Sequence, residues 1–234
     1  MFVESTKLMH SKKIIPAIIP ISKRHLDTTL RTFADFAEEV QVDIVDGFFA
    51  GPPSWPYNQD CSPETSLFNT MFDTVPVELD LMIKNPEETM DMWVTTGAKK
   101  IVVHVESTNK LTDILEYSAT RPFHLGLSFN NDTDLALLDT LDRTLVDYVQ
   151  LMGIKEIGAQ GQPFDRRVLE RIALIREKYP QLPISIDGSV NLDTIDDFAR
   201  SGATRFVSGS AILKANDPED AYSELVLRVN KERI

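Results

Sequence analysis

The feature that most constrains this chain is a regular alternation between apolar, strand-like runs and segments with the period of an amphipathic helix. Along the 234 residues we assign strands to 13–19, 40–46, 75–83, 100–106, 123–129, 147–154, 183–189 and 204–212. A helix-period segment follows each, at 25–39, 63–73, 86–96, 109–118, 132–143, 165–178, 192–201 and 217–232. Repeated β-then-α units in a chain of this length predict a (β/α)8 TIM barrel, an α/β fold.

The domain organisation follows from the same spacing. No linker or composition shift divides the chain, so we predict a single barrel domain over residues 1–234. An open, doubly wound sheet is the competing architecture, but evenly spaced units favour the closed barrel. Hydrophobic residues make up 42% of the chain, which is enough for a sizeable core.

Composition excludes several classes of partner. The net charge of -12 argues against nucleic acid or an anionic membrane surface. No apolar run reaches the ~18 residues of a membrane span, and residues 1–13 lack the apolar segment of a secretory signal. The single cysteine, Cys61, excludes an internal disulfide and is compatible with a reducing compartment. We expect a cytoplasmic homo-oligomer that binds a small molecule.

Polar side chains gather where the predicted strands end. In a barrel these carboxyl ends form the active face. The residues concerned are Gln41, Asp43, Asp46, Glu78, Asp80, His104, Glu106, Asp187, Ser189, Ser208 and Ser210. An aspartate inside an apolar strand is costly unless it is paired, ligated or open to water. Asp43, Asp80 and Asp187 are therefore expected to share the wet mouth of the barrel.

Some of these residues have a structural explanation. Asp46 precedes Gly47 in a common turn signal, and we interpret it as structural. Glu78 is expected to face the helix layer and to pair with a lysine there. His104 fits a hydrogen-bonded core histidine as well as it fits a functional group.

Three glycine turns follow strands six, seven and eight: GIKEIGAQGQPF at 153–164, DGSVN at 187–191 and SGSAI at 208–212. Backbone N–H groups exposed by such turns bind phosphate, and barrels often hold a phosphate beside strands seven and eight. We predict that one anion is surrounded by Gly158, Gly161, Gly188, Ser189, Gly209 and Ser210. Met82 and Met152 complete the predicted substrate-binding set.

From about Lys13 to Glu224 the chain resembles the ribulose-phosphate 3-epimerase family. The resemblance lies in VDIVDGFF, ELDLMIKNPE, GAKKIVVHVE, LGLSFNNDT, GAQGQPF, SIDGSVN and VSGSAI, in that order. It implies a barrel that binds a small phosphorylated sugar and epimerises a ketose phosphate, such as ribulose 5-phosphate, at C3. It also implies that Asp43 and Asp187 are the acid and base on opposite faces of the substrate, and that both bind a divalent metal.

The chain departs from this family where the chemistry lies. Gln41 and Asp80 stand where the family has two metal-binding histidines, and Ala17 replaces a substrate-contacting serine. Gln160 interrupts a run of closely set glycines in the phosphate loop. The loop after strand two also looks longer than is usual.

These departures change the expected metal. The predicted ligands are Asp43, Asp80, Asp187 and, through its amide oxygen, Gln41. An all-oxygen set favours Mg or Mn over Zn or Fe. The alternative is a metal-free site in which a proton or a nearby lysine offsets the charge.

Three functions remain open on this sequence. The first is a sugar-phosphate 3-epimerase with a changed metal or substrate. The second is another enolate reaction, such as aldol cleavage or decarboxylation. Against it, the Asp-x-Lys pattern of such sites reads Asp80-Leu81-Met82 here. The third is a non-catalytic sugar-phosphate-binding barrel, favoured by the lost histidines and disfavoured by the two retained aspartates.

Overall fold

A computed structural model describes residues 11–58 and 72–231. Within them, parallel strands pair in chain order and close into a barrel as β8 returns to β1. The strands are β1 Lys13–Ile18, β2 Val40–Val45, β3 Val77–Met82, β4 Lys100–His104, β5 His124–Phe129, β6 Tyr148–Met152, β7 Ile184–Asp187 and β8 Arg205–Ser208. The predicted (β/α)8 architecture is confirmed. The single domain over 1–234 stays a prediction, because 1–10, 59–71 and 232–234 lie outside the described residues.

Helices surround the barrel. They are α1 Lys23–Ala34, α2 Met90–Val94, α3 Leu111–Ser118, α4 Arg167–Lys178, α5 Ile195–Ser201, α6 Ser210–Leu213 and α7 Pro218–Asn230. Most of the predicted helix 63–73 lies outside the described residues. Within the described ranges, no helix has the length and apolar character to cross a bilayer.

The predicted α-helix at 132–143 is wrong. This segment forms two short 3-10 helices, Leu135–Thr140 and Arg143–Leu145. The side chain of Asp134 accepts a hydrogen bond from the backbone N–H of Ala136, and Asp142 accepts one from that of Thr144. These local bonds start a new turn at each aspartate and compete with a continuous helix.

The main hydrophobic core lies between the strands and the helices. Its largest buried side chains include Phe33, Trp93, Phe198 and Phe206. Ile15, Ala17 and Val207 form a separate apolar cluster on the neighbouring strands β1 and β8. Much of the remaining barrel interior is polar, and that polar interior is divided between the two ends of the barrel.

Glu78 does not face the helix layer, so that prediction is wrong. Side chains alternate along a strand, and Glu78 therefore shares the inward face of β3 with Asp80. Its carboxylate bonds to Arg205 of β8 and accepts a 2.6 Å hydrogen bond from the Tyr148 hydroxyl of β6. Both partners begin their strands, which places Glu78 at the amino end of the barrel.

A second acid, Glu39, completes this end of the barrel. Its carboxylate bonds to Lys100 and lies 3.3 Å from Arg205. Burial raises the pKa of Glu39, but the charges of Arg205 and Lys100 outweigh burial and hold the pKa below its usual value. We call the group formed by Glu39, Glu78, Lys100, Tyr148 and Arg205 the floor network.

Candidate active site

A cavity of about 220 Å³ lies at the carboxyl ends of the strands. It is lined by both predicted catalytic residues and by the whole predicted substrate-binding set: Asp43, Asp187, Gly158, Gly161, Gly188, Ser189, Gly209, Ser210, Met82 and Met152. The three glycine turns thus meet at one place, although anion binding there stays a prediction. Gln41 and Asp80 lie beneath the cavity with no exposed surface.

One amide bridges the two predicted catalytic carboxylates. Gln41 Nε2 donates to Asp43 Oδ1 over 2.9 Å and to Asp187 Oδ2 over 3.3 Å. Strands β2 and β7 are three steps apart around the ring. The two acids therefore approach the cavity from different sides while sharing a donor between them.

Both carboxyl groups hold protons more tightly than usual. Burial, together with the charges of Asp187 and Asp80, raises the pKa of Asp43 well above its ordinary value. Burial and the charge of Asp80 raise the pKa of Asp187 to about 7. Close carboxylates push their pKa values apart, so near neutral pH one can be protonated while the other is ionised. Such a pair can act as general acid and general base.

Asp80 is held by two buried donors. His104 Nε2 lies 3.1 Å from Asp80 Oδ1, and Gln150 Nε2 donates to Asp80 Oδ2 over 2.9 Å. His104 is thus a hydrogen-bonded buried histidine, and its partner belongs to the site. Sequence reasoning did not single out Gln150. The available signal was its position two residues before Met152, on the same inward face of β6.

The structural interpretation of Asp46 is supported by its contacts. Its carboxylate accepts hydrogen bonds from the backbone N–H groups of Phe48, Phe49 and Lys84, at 2.7, 2.8 and 2.7 Å. Asp46 therefore shapes the turn after β2 and ties it to the end of β3.

The loop after β2 then crosses part of the barrel mouth. The ring of Phe49 packs against His104, with 5.3 Å between the ring centroids. Further along, a Cβ atom added to Gly158 would lie 3.1 Å from the Ala50 side chain and 3.2 Å from the Gly51 carbonyl oxygen. The loop therefore contacts both β4 and the turn after β6.

The turns after β6 and β7 lock together through a close backbone approach. A Cβ atom added to Gly153 would lie 2.1 Å from the Gly188 carbonyl oxygen, so only glycine fits at 153. Ser189 Oγ donates to the Gln162 carbonyl oxygen over 2.8 Å. These contacts fix the relative position of two of the three glycine turns.

Gln160 reaches from the β6 turn across the cavity. Its Nε2 lies 3.5 Å from the Ala17 carbonyl oxygen and would lie 2.3 Å from a Cβ atom added to Gly209. Among the described residues, no lysine or arginine lines this cavity. Away from Asp43 and Asp187, the walls of the cavity therefore present backbone groups and neutral side chains to an anion.

The acidic residues at the base of the cavity fit a hard divalent cation. Carboxylate oxygens of Asp43, Asp80 and Asp187 lie within 4.8 Å of one another. Gln41 Oε1 is buried without a hydrogen-bond partner, because the amide presents its nitrogen to the acids. Carboxylate and amide oxygens suit magnesium, calcium or manganese better than softer metals. The expected three-carboxylate group is present, whereas the ion and the role of Gln41 toward it stay predictions.

Comparison with known proteins identifies the family. The model of the ribulose-phosphate 3 epimerase family matches residues 13–213. The chain belongs to this family. Ribulose-phosphate 3-epimerase of Eremothecium gossypii is 28% identical over 201 residues, which cover 84% of this chain and 83% of that protein. The Escherichia coli K12 ribulose-phosphate 3-epimerase is 27% identical over 220 residues, covering 91% and 93%.

Solved structures agree on the fold. A 3-hexulose-6-phosphate synthase superposes with a TM-score of 0.67 at 20% identity, covering 92% of this chain and 99% of the other. The orotidine 5'-phosphate decarboxylase from Pyrococcus horikoshii superposes with a TM-score of 0.64 at 14% identity, covering 94% and 100%. At such identities the likeness establishes the barrel and leaves the reaction open.

The structure also places this chain's departures from the ribulose-phosphate 3-epimerase pattern. Gln41, where the resemblance leads one to expect a histidine, donates to both Asp43 and Asp187. Asp80, the other such position, is the register partner of Asp43 and has a carboxylate oxygen within 4.8 Å of theirs. Both positions at which a departure from the family's histidines was expected therefore belong to the same group of side chains.

Proposed function

We propose that this barrel epimerises a ketose phosphate at C3, with Asp43 and Asp187 as the two proton carriers. The observation that carries the proposal is the bridged pair. The two carboxyl groups share the Gln41 amide, both have raised pKa values, and both line the same cavity. Membership of the ribulose-phosphate 3-epimerase family supports the same reaction.

In the proposed reaction, the ionised carboxylate removes the proton from C3, which is α to the ketone. The electron pair moves onto the carbonyl oxygen and gives an enediolate. The protonated carboxyl group on the other side of the cavity then delivers a proton to C3 and inverts its configuration. In the reverse direction the two residues exchange roles, and the Gln41 hydrogen bonds hold both groups in orientation throughout.

The phosphate is proposed to occupy the side of the cavity formed by the glycine turns. Backbone N–H groups at Gly188, Gly209 and Ser210 are suited to an anion, as in other phosphate-binding turns. Binding through neutral groups agrees with the absence of lysine and arginine from the described lining. With the phosphate in this position, C3 of the sugar would lie near Asp43 and Asp187 at the base of the cavity.

The proposed metal ligands are Asp43, Asp80 and Asp187, with magnesium or manganese as the preferred ion. When bound, such a cation supplies positive charge that stabilises the developing enediolate. Asp80 adds the third carboxylate from β3, beside Asp43 on β2. Metal analysis of the purified protein and titration with Mn²⁺ test this part of the proposal independently of turnover.

The other enolate reactions are less well supported. Met82 occupies the cavity wall where the Asp-x-Lys pattern would put a lysine, and none of the described lining residues is a lysine. A proton source and a proton acceptor on two sides of the site, by contrast, match an epimerisation.

The proposal is tested by following ribulose 5-phosphate by NMR with the protein and Mg²⁺ or Mn²⁺. We expect conversion to the C3 epimer without cleavage or loss of carbon dioxide. Release of a carbon fragment would favour an aldol or decarboxylation reaction. Saturable binding without any conversion would favour the non-catalytic barrel.

A further inference from the structure

His104 and Gln150 satisfy Asp80 from two different strands. His104 lies at the end of β4 and Gln150 in the middle of β6, and all three side chains have no exposed surface. Each donor takes a different carboxylate oxygen of Asp80, at 3.1 and 2.9 Å. Two independent strands therefore fix both the position and the plane of this carboxylate.

A packing role alone does not account for this arrangement. A buried carboxylate with two donors is seldom more stable than an apolar residue of similar volume. The arrangement is also incomplete, because His104 Nδ1 and Gln150 Oε1 have no hydrogen-bond partner. An apolar residue in place of Asp80 would remove one carboxylate from the group that it forms with Asp43 and Asp187. In that group, oxygens of the three side chains lie within 4.8 Å of one another.

We propose that His104 and Gln150 are positioning residues that hold Asp80 as the third oxygen ligand of a divalent cation. Each of its oxygens keeps a second lone pair after accepting one hydrogen bond. Hydrogen-bond partners of metal ligands set the orientation and basicity of those ligands. The inference rests on the metal of the proposed function and assigns it two residues that do not touch the ion.

The imidazole is itself held on two sides. The Phe49 ring packs on it at 5.3 Å, and Glu106 Oε2 lies 4.0 Å from Nδ1. Glu106 is fixed in turn, because its Oε1 accepts a 2.8 Å hydrogen bond from the Asn130 backbone N–H. The loop after β2 is thereby connected to Asp80 through the Phe49–His104 contact.

The test measures the affinity of the metal-free protein for Mn²⁺ alone by calorimetry. His104→Leu and Gln150→Met each remove one donor while keeping similar bulk. We expect each to weaken Mn²⁺ binding by roughly 10–100-fold, the usual cost of losing a partner of a metal ligand. The matched control is His124→Leu, because His124 is exposed and bonds to Asp147 at 2.9 Å, away from the site. The His124→Leu variant should bind Mn²⁺ with the affinity of the wild type.

His104→Gln separates positioning from packing, since its amide can still donate to Asp80. Mn²⁺ affinity close to wild type in His104→Gln, with weak binding in the Leu variant, supports the proposal. Equal losses in both variants, or wild-type affinity in Gln150→Met, would overturn it. If His104→Leu does not fold, the comparison of His104→Gln with Gln150→Met decides.

The two proposals fail in different ways. Unchanged Mn²⁺ affinity in the donor variants would remove the positioning role and leave the epimerase proposal in place. Mn²⁺ affinities that fall as predicted in His104→Leu and Gln150→Met, together with no conversion of ribulose 5-phosphate by the wild type, would remove the epimerase proposal alone. A wild-type protein that binds no Mn²⁺ would overturn the positioning role, whether or not it epimerises.

Discussion

Both ends of this barrel contain buried acidic side chains, but the residues that contact these acids differ between the two ends. In the floor network, Glu39 and Glu78 bond to Lys100 and Arg205. At the mouth, no lysine or arginine of the described chain forms an ion pair with Asp43, Asp80 or Asp187. Their partners are the amides of Gln41 and Gln150 and the ring of His104.

The difference separates a structural use of charge from a chemical one. Buried charges are tolerated when opposite charges and hydrogen bonds satisfy them, as at the floor. Glu39 accordingly has a lowered pKa, whereas Asp43 and Asp187 have raised ones. Strongly perturbed groups without a fixed counter-charge in a cavity are typical of functional sites. Burial also raises the pKa of Glu78 at the floor, but its carboxylate is occupied by Arg205 and Tyr148. Asp43 and Asp187 instead line a cavity, so the mouth is the end of the barrel that is open to a proton donor or a cation.

The largest effect is expected from removing a proton carrier at the mouth. Asp43→Asn and Asp187→Asn keep the shape of the side chain but remove its proton transfer. Each should lower kcat by roughly 10²–10⁴-fold, the usual share of a general acid or base. Asp113→Asn, on an exposed position of α3, is the control and should leave kcat unchanged.

Ligand binding should survive these substitutions, since the glycine turns are untouched. A titration with a ketose phosphate in the Asp43→Asn variant therefore distinguishes lost chemistry from lost folding. Wild-type turnover in either asparagine variant would exclude that residue as a proton carrier.

At the floor the expected effect is on stability. Arg205→Met leaves Glu39 and Glu78 buried without their shared cation, and breaking a buried pair in this way costs about 3–5 kcal/mol. Chemical denaturation measures the loss, with Arg24→Met on the exposed face of α1 as the control. Turnover of the folded variant should persist. An Arg205→Met protein that is as stable as the wild type but has lost turnover would contradict the purely structural role of the floor network.

The mouth should contribute to the pH dependence of stability. Asp187 has a folded-state pKa of about 7 against an ordinary 3.8, so between these values the folded state binds more protons than the unfolded state. Stability therefore falls as pH rises through this window, and the destabilisation is complete above the folded-state pKa. Asp43 acts in the same direction.

Denaturation of the metal-free protein at about pH 5 and about pH 8 measures this slope. The Asp187→Asn variant should show a smaller loss between the two pH values than the wild type. Saturating Mn²⁺ should reduce the loss as well, because a cation offsets the ionised acids. If the free energy of unfolding changed equally with pH in the wild type and in Asp187→Asn, Asp187 would not contribute to the pH dependence.

A smaller effect is expected where Gln160 crosses the cavity. Its amide lies against Gly209, in the predicted anion site. Gln160→Glu places a like charge beside the phosphate and should raise KM for the sugar phosphate by roughly tenfold or more, with kcat less affected. Gln181→Glu makes the same charge change at an exposed position before β7 and serves as the control. Equal KM values in the two variants would place the phosphate elsewhere.

The sequence predicted the strands and the cavity residues because both depend on local, repeating patterns. Alternating apolar runs locate β1 to β8, and parallel strands bring their carboxyl ends to one face. Asp43 and Asp187 are recognisable because aspartates interrupt apolar strands just before glycine turns. The resemblance to a known family then supplied their roles.

Long-range pairing could not be read in the same way. Glu78 was misassigned because its partners, Arg205 and Tyr148, are 127 and 70 residues away in the chain. The hydrogen bonds from His104 and Gln150 to Asp80 could not be predicted for the same reason, because these donors lie on two other strands. The helix predicted at 132–143 failed because Asp142 forms a local bond that no periodicity reveals.

Exchange of the C3 hydrogen tests the central claim most directly. A ketose phosphate is incubated in D2O with the wild type, Asp43→Asn and Asp187→Asn in the presence of Mn²⁺, and deuterium at C3 is followed by NMR. The account predicts deuterium at C3 in both epimers with the wild type, and almost none with either variant. Epimerisation by the wild type without deuterium from solvent, or full exchange in both variants, would contradict the role assigned to the uncompensated acids at the mouth.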